Sequence, residues 1–306
     1  SALGPQGLTS LLSTLERRHG KPRELTVECN PEDMDATMCQ ALADSDCNRV
    51  SLGIQTVDDS YLKRLGRRHT FADARNAVER LHAAGLENIS ADFIYGLPDQ
   101  TMADIANDLR GVANLRYLTH VSFYALQVEP HTMFWIKGVK TPDSDLLADM
   151  YELINRELAQ MDYRRYEISN FAKPGFQSKH NLCYWKALPY AAIGLGATSY
   201  EDCVRDVRTR DIKAYMAGNF VFSRVAENAK TREFTYLMLN LRLVEGFALD
   251  EFRARFGKDF LKAYASTLAK TASALDISAG RVKVRPEFLY VLDEILVELL
   301  DFKGVL

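Results

Sequence analysis

Four polar residues lie where apolar runs of the N-terminal region end. Glu28, Gln55 and Asp92 stand toward the ends of three such runs, and Arg67 follows the second. If the runs are neighbouring strands, two carboxylates, an amide and a guanidinium meet at one mouth. Carboxylates accept hydrogen bonds from ribose hydroxyls or an ammonium group, and arginine binds a carboxylate through two parallel bonds. Together the residues favour a site for a small, zwitterionic, hydroxyl-rich ligand, although each one alone is as typical of a solvated strand end or an internal salt bridge.

Alternating strands and helices are predicted to position this set. Four apolar runs have the length and composition of strands: 25–29, 49–55, 88–95 and 120–127. Thr70 with Asp73, and Thr101 with Asp104, fit the reciprocal capping pattern that begins a helix. Strands that alternate with helices indicate a parallel sheet with right-handed crossovers, either an open sheet or a barrel.

The polar strand ends favour the barrel, because barrel enzymes carry their chemistry at the carboxyl ends of their strands. Only one more long helix, over 141–158, follows the fourth strand, so we predict an α/β fold with a partial (β/α) barrel. From about residue 230 helices dominate, one of them predicted over 260–275, and a hairpin at 277–284 with a last helix to Asp301 resembles a winged-helix module. The predicted domains are a partial barrel with an extension, 1–227, and a mostly helical domain, 228–306.

The composition is that of an ordinary globular chain. Its 306 residues are 47% hydrophobic and 26% charged, and the net charge is −3. With no positive field to gather phosphates, we expect no nucleic-acid partner, despite the winged-helix order. The five cysteines contain no C-x-x-C pair, and no apolar run nears the ~18 residues of a membrane span, so we expect a reducing, cytoplasmic setting and no membrane span. Four histidines lack ligand-like spacing and are given no role: His69, His82, His120 and His131.

Four segments together carry a resemblance to a known family. They are E-C-N-P (28–31), S-L-G-I-Q (51–55), L-G-R-R-H (65–69) and D-F-I-Y-G-L-P (92–98). In order and spacing they resemble successive blocks of the radical S-adenosylmethionine (SAM) proteins related to oxygen-independent coproporphyrinogen III oxidase, and the resemblance extends over essentially the whole chain. It implies that Glu28, Gln55, Arg67 and Asp92 contact SAM, with Arg67 on the methionine carboxylate.

Three further segments resemble the haem chaperone (HemW) branch rather than the true oxidases. They are Y-E-I-S-N-F-A (166–172), H-N-L-C-Y-W (180–185) and G-L-G-A-T-S (194–199). The resemblance implies that His180, Tyr184 and Trp185 bind haem, with His180 as the candidate iron ligand. Imidazole and phenolate are both axial ligands of haem iron, and an indole offers a flat apolar face to a porphyrin. The alternative is a loop in which Tyr184 and Trp185 fill the core and His180 is a surface residue; Cys183 is expected to pack as a small hydrophobe.

The sequence departs from the family at its start. Family members begin with C-x-x-x-C-x-x-C, whose three thiolates hold a [4Fe-4S] cluster, followed by a strand ending in G-G-G-T-P. Both are absent here, and Ser1-Ala2-Leu3 resembles the residues that follow the glycines, so we expect an N-terminal portion that is missing from this chain. The alternative is a natural protein without the cluster. On its own the chain is expected to hold no cluster, to be inert as a radical enzyme, and to be disordered or self-associating at the exposed sheet edge.

Three functions remain open at this point. The favoured one is a SAM-binding protein that takes up haem or a porphyrin and passes haem to an accepting protein, with an electron donor as a second partner. The second is an oxygen-independent coproporphyrinogen III oxidase, which removes two propionate carboxyls to give protoporphyrinogen IX. The third is a small-molecule barrel enzyme without radical chemistry.

Overall fold

The computed structural model describes residues 3–300, except for the side chain of Leu300. The chain divides into two compact units, Ser1–Gln177 and Ser178–Leu306. The domain boundary expected between residues 227 and 228 therefore falls inside the second unit. No described helix combines the length and the apolarity needed to cross a bilayer.

The first unit alternates helices with strands, as the apolar pattern predicts. Its elements are α1 (Gly4–His19), β1 (Thr26–Cys29), α2 (Ala36–Ala43), β2 (Arg49–Gln55), α3 (Asp59–Arg64), α4 (Phe71–Ala83), β3 (Ile89–Tyr95), α5 (Met102–Asn114), β4 (Leu118–Ala125), α6 (Met133–Ile136), α7 (Ser144–Gln160), β5 (Arg164–Arg165) and β6 (Asn170–Ala172). The strands form one sheet in the order β1-β2-β3-β4-β6-β5. Strands β1 to β4 are parallel, whereas β6 is antiparallel to β4 and β5 to β6. The predicted α/β fold with a parallel sheet is confirmed.

The details of this sheet differ from the expectation in two places. The fourth strand covers Leu118–Ala125, two residues earlier than the predicted 120–127. Strands β5 and β6 were not predicted, because two and three residues are too few to show an alternating pattern. Among the described residues, β1 pairs with β2 alone.

The parallel strands have an apolar face and a polar face. Fully buried apolar side chains alternate along β2, β3 and β4: Val50, Leu52, Ile54, Ala91, Phe93, Val121 and Phe123. The rings of Phe93 and Phe123 stack with their centroids 5.0 Å apart. Because successive side chains of a strand point to opposite faces, Ser51, Asp92 and Ser122 lie on the other face. The apolar face stabilises the sheet, and the polar face is free to carry chemistry.

Both predicted capping boxes are present. The hydroxyls of Thr70 and Thr101 accept hydrogen bonds from the amides of Asp73 and Asp104, whose carboxylates accept from the threonine amides in return. These contacts satisfy amides at the first turn of α4 and α5 that have no partner within the helix. Helix α4 ends at Ala83, and Gly85 follows with φ +92°, as its sequence predicts.

The second unit combines two small antiparallel sheets with helices. Its elements are α8 (Lys179–Trp185), β7 (Thr198–Glu201), β8 (Val204–Arg208), α9 (Ile212–Met216), β9 (Val221–Ala226), α10 (Ala229–Asn240), β10 (Phe247–Ala248), α11 (Leu249–Phe256), α12 (Phe260–Ala263), α13 (Ala265–Thr271), β11 (Leu275–Ser278), β12 (Arg281–Val284) and α14 (Leu292–Leu300). The sheets have the orders β7-β8-β9 and β10-β12-β11. Tyr236, Phe247, Phe252 and Phe260 are fully buried and form an aromatic core. The predicted helical C-terminal part is confirmed.

Three features of the second unit correct the expectation. The segment 180–185, expected as a loop, belongs to helix α8. The helix expected over 260–275 is two helices, and strand β11 begins at Leu275. The sheet β7-β8-β9 was not expected. The predicted end of the last helix, Asp301, lies outside the described residues.

A buried carboxylate connects the segments that follow β2 and β3. Asp108 of α5 accepts hydrogen bonds from the hydroxyl of Thr56 (2.8 Å) and the amide of Val57 (2.7 Å), which come directly after β2. Its other oxygen is 3.5 Å from Nε2 of Gln100, whose Oε1 accepts from the amide of Leu97 after β3. Burial raises the pKa of Asp108 to about 7, although the bonds from Val57 and Thr56 oppose the rise.

This pKa predicts how pH changes stability. Because the folded pKa lies above the unfolded value, the folded carboxyl keeps its proton at a higher pH, and stability increases as pH falls from 8 to 6. The contribution of one proton is at most about 1.4 kcal/mol per pH unit. Asp108→Asn keeps an acceptor for Thr56 and Val57 and should lose this contribution. Urea unfolding at several pH values measures the free energy of unfolding of the wild type and of Asp108→Asn. If this free energy changes equally with pH in both proteins between pH 6 and 8, the raised pKa of Asp108 is contradicted.

Candidate functional site

The first candidate site lies at the end of β2. Gln55 is the last residue of that strand, is buried, and has φ +73°, a left-handed conformation that is uncommon for residues other than glycine. The register between β2 and β3 shifts between Gly53 and Gln55. At this irregular, left-handed strand end the Gln55 side chain reaches back over Gly53.

Gly53 provides the space that Gln55 and Arg67 occupy. A Cβ atom on Gly53 would lie 2.8 Å from Nε2 of Gln55, and 3.9 and 4.0 Å from the two terminal nitrogens of Arg67. The amide and the guanidinium therefore both lie over the glycine. Arg67 also donates to Oδ1 of Asn30, directly after β1, at 3.2 Å. One half-buried guanidinium thus bridges the ends of two neighbouring strands.

Asp92 and Glu28 lie on the same part of the sheet. Asp92 pairs in register with Gly53, and its carboxylate accepts a hydrogen bond of 2.9 Å from the hydroxyl of Ser51. Glu28 pairs with Ser51 from the other side. Burial raises the pKa of Asp92, hydrogen bonds from Ser122 and Ser51 oppose the rise, and the nearby Glu28 carboxylate adds to it. The structure therefore brings all four residues of the sequence-predicted set to one region, with Glu28 the exposed member.

A buried histidine belongs to the same polar face, although sequence reasoning gave it no role. His120 of β4 is within hydrogen-bond distance of the Ser90 hydroxyl (2.8 Å) and the Tyr166 hydroxyl (2.9 Å). Burial and the nearby Arg49 hold its pKa well below the usual value, so the imidazole is neutral. The sequence did contain a signal for this face: polar residues at alternate positions of a strand. They are Ser90 and Asp92 in β3, and His120 and Ser122 in β4.

A third carboxylate lies further across the same face. Glu167 is fully buried and accepts hydrogen bonds from the amide of Ser169 (3.0 Å) and from the side-chain amide of Asn170. Burial raises its pKa. Asn170 pairs in register with Ser122, and its Oδ1 has no hydrogen-bond partner among the described residues. The register row Gly53, Asp92, Ser122 and Asn170 therefore carries polar groups across β3, β4 and β6.

The polar side chains around Gly53 match the functional groups of SAM. A guanidinium suits the carboxylate of the methionine part, and the carboxylates of Glu28 and Asp92 suit an ammonium group or ribose hydroxyls. The absence of a side chain on Gly53 lets the Gln55 amide and the Arg67 guanidinium lie against the strand, where both can face a ligand.

The described residues do not fit an iron–sulfur cluster. Within 3–300, no group of three or more His, Cys, Asp or Glu residues is arranged to hold a metal ion. Burial raises the pKa of Cys29 to about 12 and that of Cys47 to about 11, so both remain protonated thiols rather than the thiolates that bind iron. No chemical step can be assigned to a cluster on these residues.

The second candidate site is the face of α8 that carries His180 and Tyr184. Ser178 caps the helix by accepting a hydrogen bond from the amide of Asn181 at 3.2 Å. His180 and Tyr184 are four residues apart, and their rings meet edge to face with centroids 4.8 Å apart. His180 is exposed, whereas Tyr184 and Trp185 are half-buried.

This arrangement differs from the alternative interpretation, a loop whose aromatic side chains fill the core. It is a helix rather than a loop, and neither aromatic side chain is sequestered in the core. Burial, with the neighbouring Tyr190 and Cys183, raises the pKa of Tyr184, so its phenol is neutral at physiological pH. An exposed imidazole beside a neutral phenol is a usable metal-ligand pair in which the imidazole is the stronger candidate.

The end of α8 is held by helix α11 of the same unit. Ala187 follows the helix with φ +50°, and its carbonyl accepts a hydrogen bond of 2.7 Å from Arg255 of α11. The Arg255 guanidinium also lies 5.0 Å from the ring centroid of Tyr236 in the aromatic core. The short helix is thereby connected to the interior of its unit.

Comparison with known proteins shows which family this chain belongs to. A family model described as the Radical SAM superfamily matches residues 3–111, which contain β1 to β3 and the four residues around Gly53. A solved structure titled "Coproporphyrinogen III oxidase (HemN) from Escherichia coli is a Radical SAM enzyme" has a TM-score of 0.82 at 16% identity and covers 98% of this chain and 75% of that chain. At this identity the likeness shows a shared fold.

Two curated relatives share much of the sequence. "Heme chaperone HemW" of Lactococcus lactis is 37% identical over 279 residues, which cover 88% of this chain and 73% of the relative. "Heme chaperone HemW" of Escherichia coli is 35% identical over 239 residues, which cover 76% of this chain and 63% of the relative, so the match spans less than two thirds of that protein. By this similarity, together with the superfamily match, the chain belongs to the HemW family of radical SAM proteins.

Proposed function

We propose that this protein binds haem at the face of α8, holds SAM around Gly53, and passes haem to an accepting protein. The observation that carries the proposal is the exposed imidazole of His180 in edge contact with Tyr184, one helical turn away, in a chain whose relatives are named haem chaperones. A transfer protein must hold haem at an accessible position, and an exposed helix face meets that requirement.

His180 is the proposed ligand of haem iron. Its imidazole is exposed, and the edge contact with Tyr184 restricts the orientation of the ring. Trp185 follows Tyr184 directly and is half-buried, so part of its indole remains available to a flat apolar ligand. Haem is the substrate of this site, bound for a time and then released.

SAM is the proposed ligand of the first site. Arg67 is held by Asn30 and aimed across Gly53, where it is preorganised for a carboxylate. The Gln55 amide beside it adds a neutral hydrogen-bonding group, and Asp92 is oriented by the Ser51 hydroxyl. Bound SAM supplies a sulfonium group whose carbon–sulfur bond breaks on one-electron reduction. The residues of this chain bind and orient the molecule; the electron donor is a partner of unknown identity.

The proposed setting is the reducing cytoplasm. All five cysteines are free thiols, and three of them, Cys29, Cys39 and Cys47, are buried. Buried free thiols persist where disulfides do not form, which supports this setting. The proposed acceptor is a protein that has a vacant haem site.

Substitutions on α8 test the haem site. His180→Ala removes the proposed iron ligand and should shift the Soret band of the haem complex and weaken binding at least about tenfold. Tyr184→Phe keeps the ring contact and should leave the Soret position close to that of the wild type. Titration with ferric haem, followed by absorption spectroscopy, measures both effects. An unchanged spectrum and affinity in His180→Ala would contradict the proposal.

Substitutions around Gly53 test the SAM site. Arg67→Ala removes a charge-assisted contact and should weaken SAM binding about tenfold or more. Gly53→Ala places a Cβ 2.8 Å from the end of the flexible Gln55 side chain, so it should displace the amide and weaken binding while the fold is retained.

Arg75→Ala is the matched control for these variants. Arg75 is exposed on α4, so its replacement removes the same charge and should leave SAM affinity unchanged. Isothermal calorimetry with SAM compares the three variants. If Arg67→Ala and Arg75→Ala bind SAM equally, the assignment of Arg67 is wrong.

A further inference from the structure

A connected group of side chains lies behind the haem-binding face of α8. Tyr184 meets the ring of Tyr190 edge to face, with centroids 4.6 Å apart. Tyr190 is joined to Tyr200 by an isolated antiparallel bridge, with backbone hydrogen bonds of 2.7 and 2.8 Å in the two directions. The backbone of Tyr190 is thus held against β7.

A salt bridge supports the same tyrosine. Arg205 of β8 donates to the Tyr190 hydroxyl at 3.4 Å and to Glu227 at 3.1 Å. The Glu227 side chain is only 6% exposed, and its second oxygen accepts a hydrogen bond of 3.0 Å from the Tyr200 hydroxyl. The Arg205 guanidinium also lies 5.1 Å from the centroid of the Tyr200 ring. Tyr190, Tyr200, Arg205 and Glu227 therefore each contact at least two of the others.

From this geometry we infer that Tyr190, held by the Arg205–Glu227 salt bridge, is a positioning residue for haem binding through Tyr184 and His180. The inference rests on the proposed haem site. Tyr190 does not touch the ligand in this account; it supports the ring of Tyr184, whose edge contact orients the His180 imidazole. The chain of contacts runs from a buried carboxylate to an exposed imidazole within the second unit.

The physical need for this support comes from the length of α8. The helix has seven residues, and isolated helices of that length are unstable in water. Its aromatic face must be ordered by packing, since two rings that rotate freely would lose orientational entropy when haem binds. Tyr190, which is already held in place, reduces this loss of entropy before haem binds.

Two substitutions at Tyr190 separate the ring from its hydroxyl. Tyr190→Ala removes the edge contact and should weaken ferric haem binding about threefold to tenfold and broaden or shift the Soret band. Tyr190→Phe keeps the ring and should restore the wild-type Soret position. Arg205→Ala should weaken binding in the same direction as Tyr190→Ala, because Tyr190 then loses its lateral support.

The matched control is a salt bridge in the same sheet. Arg224 of β9 makes two bonds of 2.6 Å to Asp206 of β8, next to Arg205 in sequence. Arg224→Ala breaks an ion pair between β8 and β9, whereas Arg205 pairs with Glu227 directly after β9, and it does not touch the aromatic group. It should leave haem affinity and the Soret band unchanged. If Arg224→Ala alters them as much as Arg205→Ala does, the effect belongs to the sheet as a whole, and the inference is overturned.

A second readout does not depend on haem. The chain has two tryptophans, Trp135 and Trp185, so Trp135→Phe leaves Trp185, adjacent to Tyr184, as the fluorescent reporter. In that background, without haem, Tyr190→Ala should shift the emission and Arg224→Ala should not. If the wild type binds no haem, the proposed function is wrong, and the emission still shows whether Tyr190 orders the aromatic face of α8. A folded Tyr190→Ala protein with wild-type emission, affinity and spectrum would overturn the inference.

Discussion

The left-handed strand end at Gln55 is the constraint on which the first site depends. A residue other than glycine in this conformation costs about 1–3 kcal/mol, so the surrounding structure must hold it there. His69 contacts the carbonyl of the preceding Ile54 at 3.2 Å, and Asp108 binds the hydroxyl of the following Thr56. The strained residue is therefore held on both sides, and the glycine at position 53 gives its side chain room.

The contacts of His69 and Asp108 also join the segments that follow the parallel strands, so the first site and the sheet hold each other in place. His69 is in turn 3.1 Å from Glu32, which follows β1, so its imidazole connects the segments after β1 and β2. Asp108 connects the segments after β2 and β3. The carboxyl ends of three parallel strands are thereby fastened to one another by buried or half-buried polar side chains. Such fastening limits reorganisation when a ligand binds, which improves affinity without any new contact.

The proposed haem-binding face of α8 is ordered in a different way. Strands of a sheet order the first site, whereas α8 is too short to order itself and depends on contacts from outside the helix. Ser178 caps its start, Arg255 holds the carbonyl that follows its end, and Tyr190 supports one of its rings. A cargo site on a short, externally supported helix is accessible, which suits uptake and release better than a closed pocket does.

Much of the first unit could be predicted, because strands β2 and β3 and the capping pairs of α4 and α5 are specified by local patterns. The meeting of Gln55 with Arg67 also followed from strand order. The rest depended on tertiary structure: α8 has no apolar periodicity long enough to predict a helix, and the buried role of His120 arises from Ser90 and Tyr166, which are far away in sequence. The left-handed φ of Gln55 carries no sequence signal, since glutamine rarely adopts it.

The most direct test of the central claim is a crystal structure of this chain with SAM bound. The account predicts the methionine carboxylate within hydrogen-bond distance of the Arg67 guanidinium, over Gly53, with the carboxylates of Glu28 and Asp92 turned toward the same molecule. SAM bound at another place on the chain, with Arg67 still occupied only by Asn30, would contradict it.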